Sequence, residues 1–238
     1  MTQTAPAAGR SGMVTFPSDG VTIRAFFEQP ERAAVPAPAI LILHEWWGLN
    51  EHMQDLARRF RVAGYAACVP DLYSRQGSAV TRDPTEAARL MEGLSSQHVL
   101  RDLNAATAFL TQQPFIDPLR IGIIGFCMGG TLALTQITHN SDLKAAVVFY
   151  GKVPPDDSFR YLLCPVLYHY GAQDGWVTSQ EVERLRQGLA RHGKSGRVVT
   201  YPQAGHAFFN DTRPEAYRAS DAADAWQQTL QFFSDQLR

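Results

Sequence analysis

The order of the elements predicts an α/β fold: a mostly parallel sheet with helices on both faces and an antiparallel hairpin at its N-terminal edge. Three observations carry this. Short apolar runs rich in β-branched residues alternate along the chain with segments whose apolar residues recur at helical spacing. Those runs, such as Ile40 to His44 and Ile121 to Ile124, have no polar face, as strands covered on both sides require. Several end in glycine or a polar turn, where crossover units leave the sheet.

In chain order, Met13 to Phe16 and Val21 to Glu28 alternate apolar and polar residues around Ser18-Asp19-Gly20, the pattern of a hairpin. Ile40 to His44 is the first buried strand, and Asn50 caps a helix with Met53, Leu56 and Phe60 on one face, stopped by Gly64. Tyr65 to Val69 follows as a strand. Residues 70 to 93 are mostly loop with a helix starting near Pro84, and Leu100, Leu103, Ala106 and Leu110 form the stripe of the next helix, up to Pro114. After the strand ending at Ile124 and a small-residue helix over Thr131 to Ile137 come strands at Ala145 to Tyr150 and Val166 to Tyr170. Thr178 and Glu181 have capping-box spacing for a helix bearing Val182, Leu185 and Leu189, and Arg197 to Tyr201 is the last strand. Trp226, Leu230, Phe233 and Leu237 mark a C-terminal helix packed on the sheet.

The chain has 238 residues and 45% hydrophobic content, enough for one core, so a single domain over 13–238 is expected behind a flexible segment over 1–12. With 22 basic against 23 acidic residues and no basic tract, neither nucleic acid nor an anionic membrane is an expected partner. The first dozen residues do not resemble a signal peptide, and no apolar run is long enough to span a bilayer. A cytoplasmic monomer or weak homodimer is expected. Cys68, Cys127 and Cys164 are odd in number and far apart, so they read as reduced thiols, and no histidine pair has metal-ligand spacing. No metal and no organic cofactor is expected.

The chemistry centres on Gly125-Phe126-Cys127-Met128-Gly129, between a strand and a helix. This is the G-x-nucleophile-x-G elbow with sulfur in place of oxygen; small neighbours two residues away allow the strained bend that lifts the nucleophile above the sheet. At a helix N-terminus, free N–H groups favour a thiolate and an oxyanion. A lone cysteine there is equally a small buried residue, so context decides. Asp174 follows one strand and His206 the next, in the order nucleophile, acid, histidine that α/β-hydrolases use, and Glu45, Cys127, Asp174 and His206 all fall at strand ends on the ligand side of such a sheet. Alone, Asp174 reads as a turn cap before Gly175 and His206 as a loop residue. Together they make a Cys-His-Asp triad, with His206 as base and Asp174 holding its tautomer. The backbone N–H groups of Met128 and Trp46 are the expected oxyanion donors.

With these residues assembled, the chain resembles the dienelactone hydrolase family. The resemblance rests on Gly-Phe-Cys-Met-Gly-Gly at 125–130, Pro-Asp-Leu-Tyr-Ser-Arg-Gln at 70–76, His-Glu-Trp-Trp-Gly-Leu-Asn around Glu45, Gly171 to Asp174, and Ala-Gly-His-Ala-Phe at 204–208. It implies hydrolysis of a small-molecule lactone or ester through a thioester, of carboxymethylenebutenolidase type, without a cofactor. It implies that Glu45 draws the proton from the cysteine and that Arg75 clamps a substrate carboxylate. A glutamate at about 4.3 and a thiol at about 8.5 differ by roughly 6 kcal/mol in proton affinity, so Glu45 needs burial, for which Trp46 and Trp47 offer an apolar wall. The chain departs from the family pattern at Asn210, where members using diene lactones carry a second arginine; Arg213 is close but out of register. Tyr73, Trp47 and Phe208, with Phe209, suggest a pocket for larger, more apolar esters. A general carboxylesterase or thioesterase is therefore the alternative, and a noncatalytic binding or redox-sensing protein is the alternative from another class.

Overall fold

The computed structural model describes residues 11–30 and 36–238. Strands β1 (Gly12–Ser18) and β2 (Val21–Glu28) form the antiparallel hairpin, closed by Asp19 and Gly20, both at positive φ, which is what a tight two-residue turn needs. Of the flexible segment expected over 1–12, residues 1–10 lie outside the described residues, and Gly12 already pairs with Phe27. β3 (Ala37–Leu43) leads to helix α1 (Glu51–Val62), whose first turn is capped by the Asn50 side chain accepting from the Met53 N–H at 3.2 Å. β4 (Ala66–Pro70), α2 (Pro84–Glu92) and α3 (Ser96–Thr111) follow. Then come β5 (Ile116–Phe126), α4 (Met128–Gln136), β6 (Leu143–Phe149) and β7 (Val166–Gly171). The chain closes with α5 (Ser179–Arg191), carrying the capping box of Thr178 and Glu181, β8 (Gly196–Tyr201) and α6 (Ala219–Gln236).

The strands form one sheet in the order β1-β2-β4-β3-β5-β6-β7-β8, antiparallel through β1, β2 and β4 and parallel from there on. The fully buried apolar runs of β3, β5, β6 and β7 occupy its centre. On one face α1 meets α6 through the Phe60 ring, 4.8 Å from Trp226 and 6.0 Å from Phe233. On the other, α3 is tied to α4 by the Gln136 amide donating to Asn104 at 2.7 Å. Such two-sided cover is what the uninterrupted apolar strands demanded. The α3 stripe runs through Val99, Leu103, Ala106 and Leu110, with Leu100 only half-buried, and the same face turns Asp102 inward. No helix among the described residues is long and apolar enough to cross a membrane.

Candidate active site

The parallel arrangement delivers five strand ends to one edge. Glu45 follows β3 and Cys127 follows the adjacent β5; Tyr150 follows β6, Asp174 follows β7 and His206 follows β8. Cys127 therefore stands in the middle of a row, with Glu45 on one side and the Asp174–His206 pair on the other.

The bend at Cys127 has the geometry the motif requires. Its φ of 54° and ψ of −119° are strained for a residue with a side chain, worth about 1–3 kcal/mol, and α4 begins at the very next residue. Glycine is forced on both sides, since a Cβ at Gly125 would sit 2.1 Å from the Gly129 carbonyl oxygen, and one at Gly129 would sit 2.3 Å from that of Leu43. The Cys127 N–H donates to Phe149 at 3.0 Å, tying the bend to β6. Positive φ recurs at Tyr150 and at Ala207, directly after His206, so three of the strained non-glycine positions border this one place.

The thiol of Cys127 is buried. Burial, and next the negative charge of Glu45, push its pKa well above the ordinary thiol range, while a hydrogen bond from the Met128 N–H pulls the other way. The sulfur is thus a neutral thiol at rest, and it makes no hydrogen bond to His206 in this arrangement. His206 is oriented from behind: its Nδ1–H donates to Asp174 Oδ2 at 2.8 Å, while Asp174 Oδ1 accepts from the N–H groups of Trp176 and Val177 at 2.7 and 2.9 Å. The Asp174 side chain is fully buried and that of His206 is 25% exposed. The Tyr150 ring lies 5.0 Å from the imidazole and that of Trp176 lies 5.2 Å away.

Glu45 is buried, 2% exposed, and both carboxylate oxygens are taken: Oε1 accepts from the Tyr150 hydroxyl at 3.3 Å and Oε2 from the Asn210 amide at 2.7 Å. Asn210 is aimed by Thr212, whose N–H and hydroxyl donate to its Oδ1 at 3.0 and 2.7 Å. The turn that carries Glu45 is braced by His44, which donates from Nδ1 to the Glu45 carbonyl at 2.5 Å and accepts at Nε2 from the Leu72 N–H at 3.0 Å. Complete burial holds that imidazole neutral.

The other expected site residues spread more widely. Trp46 lies in the Glu45 turn and its carbonyl accepts from the Tyr73 hydroxyl at 2.9 Å. Tyr73 is fully buried beneath this turn and Phe208 is fully buried against Tyr150 and Tyr201, so both are packing residues of the site's floor and not its lining. Trp47 does face a cavity of about 660 Å³, bounded also by His52, Arg82, Asn210 and Arg213. Arg75 is engaged elsewhere. It pairs in bidentate fashion with Asp102, at 2.8 Å for each bond, and donates to the Ser18 carbonyl, with no part in that cavity. The residues that sequence reasoning passed over are Tyr150, His44 and the partnership of Asn210 with Glu45. Tyr150 carried a weak signal, a strand-end tyrosine before Gly151; the others depend on pairings across the fold. No group of His, Cys, Asp or Glu side chains suited to a metal ion is present among the described residues.

A strained cysteine bend in the middle of a parallel sheet, flanked by an oriented imidazole, defines an α/β-hydrolase. Residues 23–237 match the model of the dienelactone hydrolase family. A protein of Escherichia coli (strain K12) named "Putative carboxymethylenebutenolidase" is 34% identical, the match covering 97% of this chain and 89% of that one. One of the same name from Yersinia pestis is 36% identical over 94% of this chain and 87% of its own length. A crystal structure from Klebsiella pneumoniae subsp. pneumoniae, described as a "Putative Dienelactone Hydrolase", superposes with a TM-score of 0.89 at 34% identity, covering 94% of this chain and 98% of that one. The chain belongs to the dienelactone hydrolase family and is a hydrolase of that kind.

Proposed function

We propose that the protein hydrolyses a lactone or carboxylic ester by nucleophilic catalysis at Cys127, with His206 and Asp174 completing the triad. The observation that carries this reading is the combination of a positive-φ cysteine at the start of α4 with an imidazole held at 2.8 Å by a fully buried carboxylate on the same sheet edge. Substrate entry brings the carbonyl carbon to Sγ. The thiol proton passes to His206 Nε2, directly or by way of Glu45, as the S–C bond forms, and the tetrahedral oxyanion is received by the Met128 N–H, with the Trp46 N–H as the second donor. His206 then gives a proton to the leaving oxygen as the C–O bond breaks, and water resolves the thioester through the same imidazole.

Glu45 is the base nearest in charge to the sulfur at rest, yet it must release Tyr150 or Asn210 before it can take a proton. A thiol kept neutral until substrate arrives is protected from adventitious oxidation, because the thiolate is the reactive form. This weighs against the redox-sensing alternative. The carboxylesterase alternative draws support from the engagement of Arg75 with Asp102, which leaves that guanidinium without a free fork for a substrate carboxylate.

The test is rapid mixing of the protein with p-nitrophenyl acetate followed by intact-mass spectrometry. An acetyl adduct confined to Cys127 and absent from Cys127→Ala, with turnover lost in that variant, is the expected outcome. Turnover surviving in Cys127→Ala would overturn the assignment.

A further inference from the structure

Glu45 leaves a charge problem at the nucleophile. Both hydrogen-bond partners of its buried carboxylate, Tyr150 and Asn210, are neutral, so no ion pair cancels the negative charge that bears on the Cys127 sulfur and opposes a thiolate. Asp174 acts in the same direction. Tyr73 and Tyr150 are held protonated by burial, and His206 becomes a cation only once it has taken a proton. The positive charge that works against Glu45 at the sulfur is that of Arg213.

Arg213 lies beyond His206 on the same loop, and its backbone is fixed from both ends. Its N–H donates to the Asn210 carbonyl at 3.1 Å, and its own carbonyl accepts from the N–H groups of Ala216 and Tyr217 at 3.0 and 2.9 Å. Asn210 is the residue whose amide holds Glu45, so one short turn carries both the neutral donor to that carboxylate and the cation. The guanidinium lies 5.4 Å from the Trp47 ring, which packs at 4.9 Å against Trp46, next to Glu45 in the chain. Two indole rings thus link the cation to the Glu45 turn, and apolar rings weaken a charge less than water does. The counter-charge is on the outside: Glu215 accepts from Arg213 at 2.8 Å, but its side chain is 63% exposed against 35% for the arginine. Water therefore screens the acid more than the base. Arg75 is the contrast, since the largely buried Asp102 matches its guanidinium in bidentate fashion and cancels its charge in place.

We propose that Arg213 is a positioning residue of the reaction: seated on Trp47, it supplies the standing positive charge that offsets Glu45 at the Cys127 sulfur, and Glu215 moderates it. The assignment rests on Cys127 as the nucleophile and adds a group that prepares it. It is tested by alkylation of Cys127 with uncharged iodoacetamide, followed site by site by mass spectrometry from about pH 6 to about pH 9 at low salt. Arg213→Gln should move the profile to higher pH, so that the rate at any one pH falls by about 3-fold, the order of effect of one partly exposed charge acting at a distance. Arg213→Lys, which keeps the charge, should recover most of the rate, and Glu215→Gln should quicken it by about 2-fold. Raising the salt toward about 1 M should bring wild type and Arg213→Gln together, because a screened charge fades where a change of packing would not. Equal rates in wild type and Arg213→Gln at low salt overturn the proposal, as does a slowing that persists at high salt and is not relieved by Arg213→Lys. A loss of kcat/KM confined to esters that carry a carboxylate, with the alkylation profile unmoved, would make Arg213 a substrate clamp and overturns it too. Turnover that survives in Cys127→Ala fails the nucleophile reading instead, while the alkylation profile still decides whether Arg213 acts on that sulfur.

Discussion

Two of the carboxylate–imidazole pairs among the described residues, both near one edge of the sheet, are built with opposite polarity. In the pair of Asp174 and His206 the acid is fully buried, satisfied by two backbone N–H groups, and the imidazole is 25% exposed at the cleft. In the pair of Asp211 and His52 the imidazole is 1% exposed and the acid is 31% exposed, sharing its charge with Arg59. A base in turnover must exchange protons with substrate and water, so the exposed ring is the one fit for catalysis, and the buried carboxylate behind it is fixed without reorganisation. The buried ring of the second pair is held neutral by its burial. The same two residue types thus present an exposed imidazole in one place and a buried, neutral one in the other, according to which partner meets water.

The sharpest break in that comparison comes from changing the two acids alike. Asp174→Asn is expected to lower kcat by about 10³–10⁴-fold, because the amide cannot hold the imidazole in its working tautomer. Asp211→Asn should lower kcat by less than about 10-fold, with its cost appearing as roughly 1 kcal/mol of stability from the weakened ties to Arg59 and His52. Steady-state kinetics on p-nitrophenyl acetate beside urea unfolding measures both. Equal losses of kcat in the two variants would erase the distinction.

A smaller effect is expected where the two regions meet. Tyr150 touches Glu45 with its hydroxyl and His206 with its ring, so Tyr150→Phe removes a donor from a buried carboxylate while keeping the ring contact. Stability should fall by about 1–3 kcal/mol. If Glu45 receives the thiol proton, alkylation of Cys127 by iodoacetamide should quicken in this variant, since one carboxylate oxygen is released. An unchanged alkylation rate would separate Glu45 from the sulfur's ionisation.

The chain order of Cys127, Asp174 and His206, each after a buried apolar run, was readable because the nucleophile elbow and parallel strands are local patterns with fixed periods. The fold class and the order of the elements were readable for the same reason, whereas β5, α4 and α6 begin at Ile116, Met128 and Ala219, each earlier than its apolar pattern marks. Arg75 was readable as a residue and not as a contact: Asp102, which claims its guanidinium, is on α3 at a position that gave no hint of facing inward. Asn210 was noticed as a departure from a pattern, while its bond to Glu45 spans 165 residues and follows from the loop after β8 crossing back over β3. His52 looked like an ordinary helix residue, since burial of a polar side chain at a helix start depends on what lies above it. Long-range pairings of this kind leave no period in the sequence.

The smallest effect separates the pairs through pH. His52, like His44 and His169, is held neutral by burial, and His169 is pushed down to about 3. In the unfolded chain each imidazole binds its proton near pH 6.5, so between that value and the depressed folded value the unfolded state carries more protons. Stability therefore rises with pH across this window and is lost on acidification below about 6.5, by up to roughly 1.4 kcal/mol per pH unit for each such histidine. Urea midpoints measured from pH 7.5 down to about pH 4.5 should trace that slope. His52→Gln should flatten it by one histidine's share, close to 1.4 kcal/mol per unit at most, whatever the variant's stability at neutral pH. A slope in His52→Gln as steep as in the wild type would mean that this ring takes up its proton in the folded protein as readily as in the unfolded one.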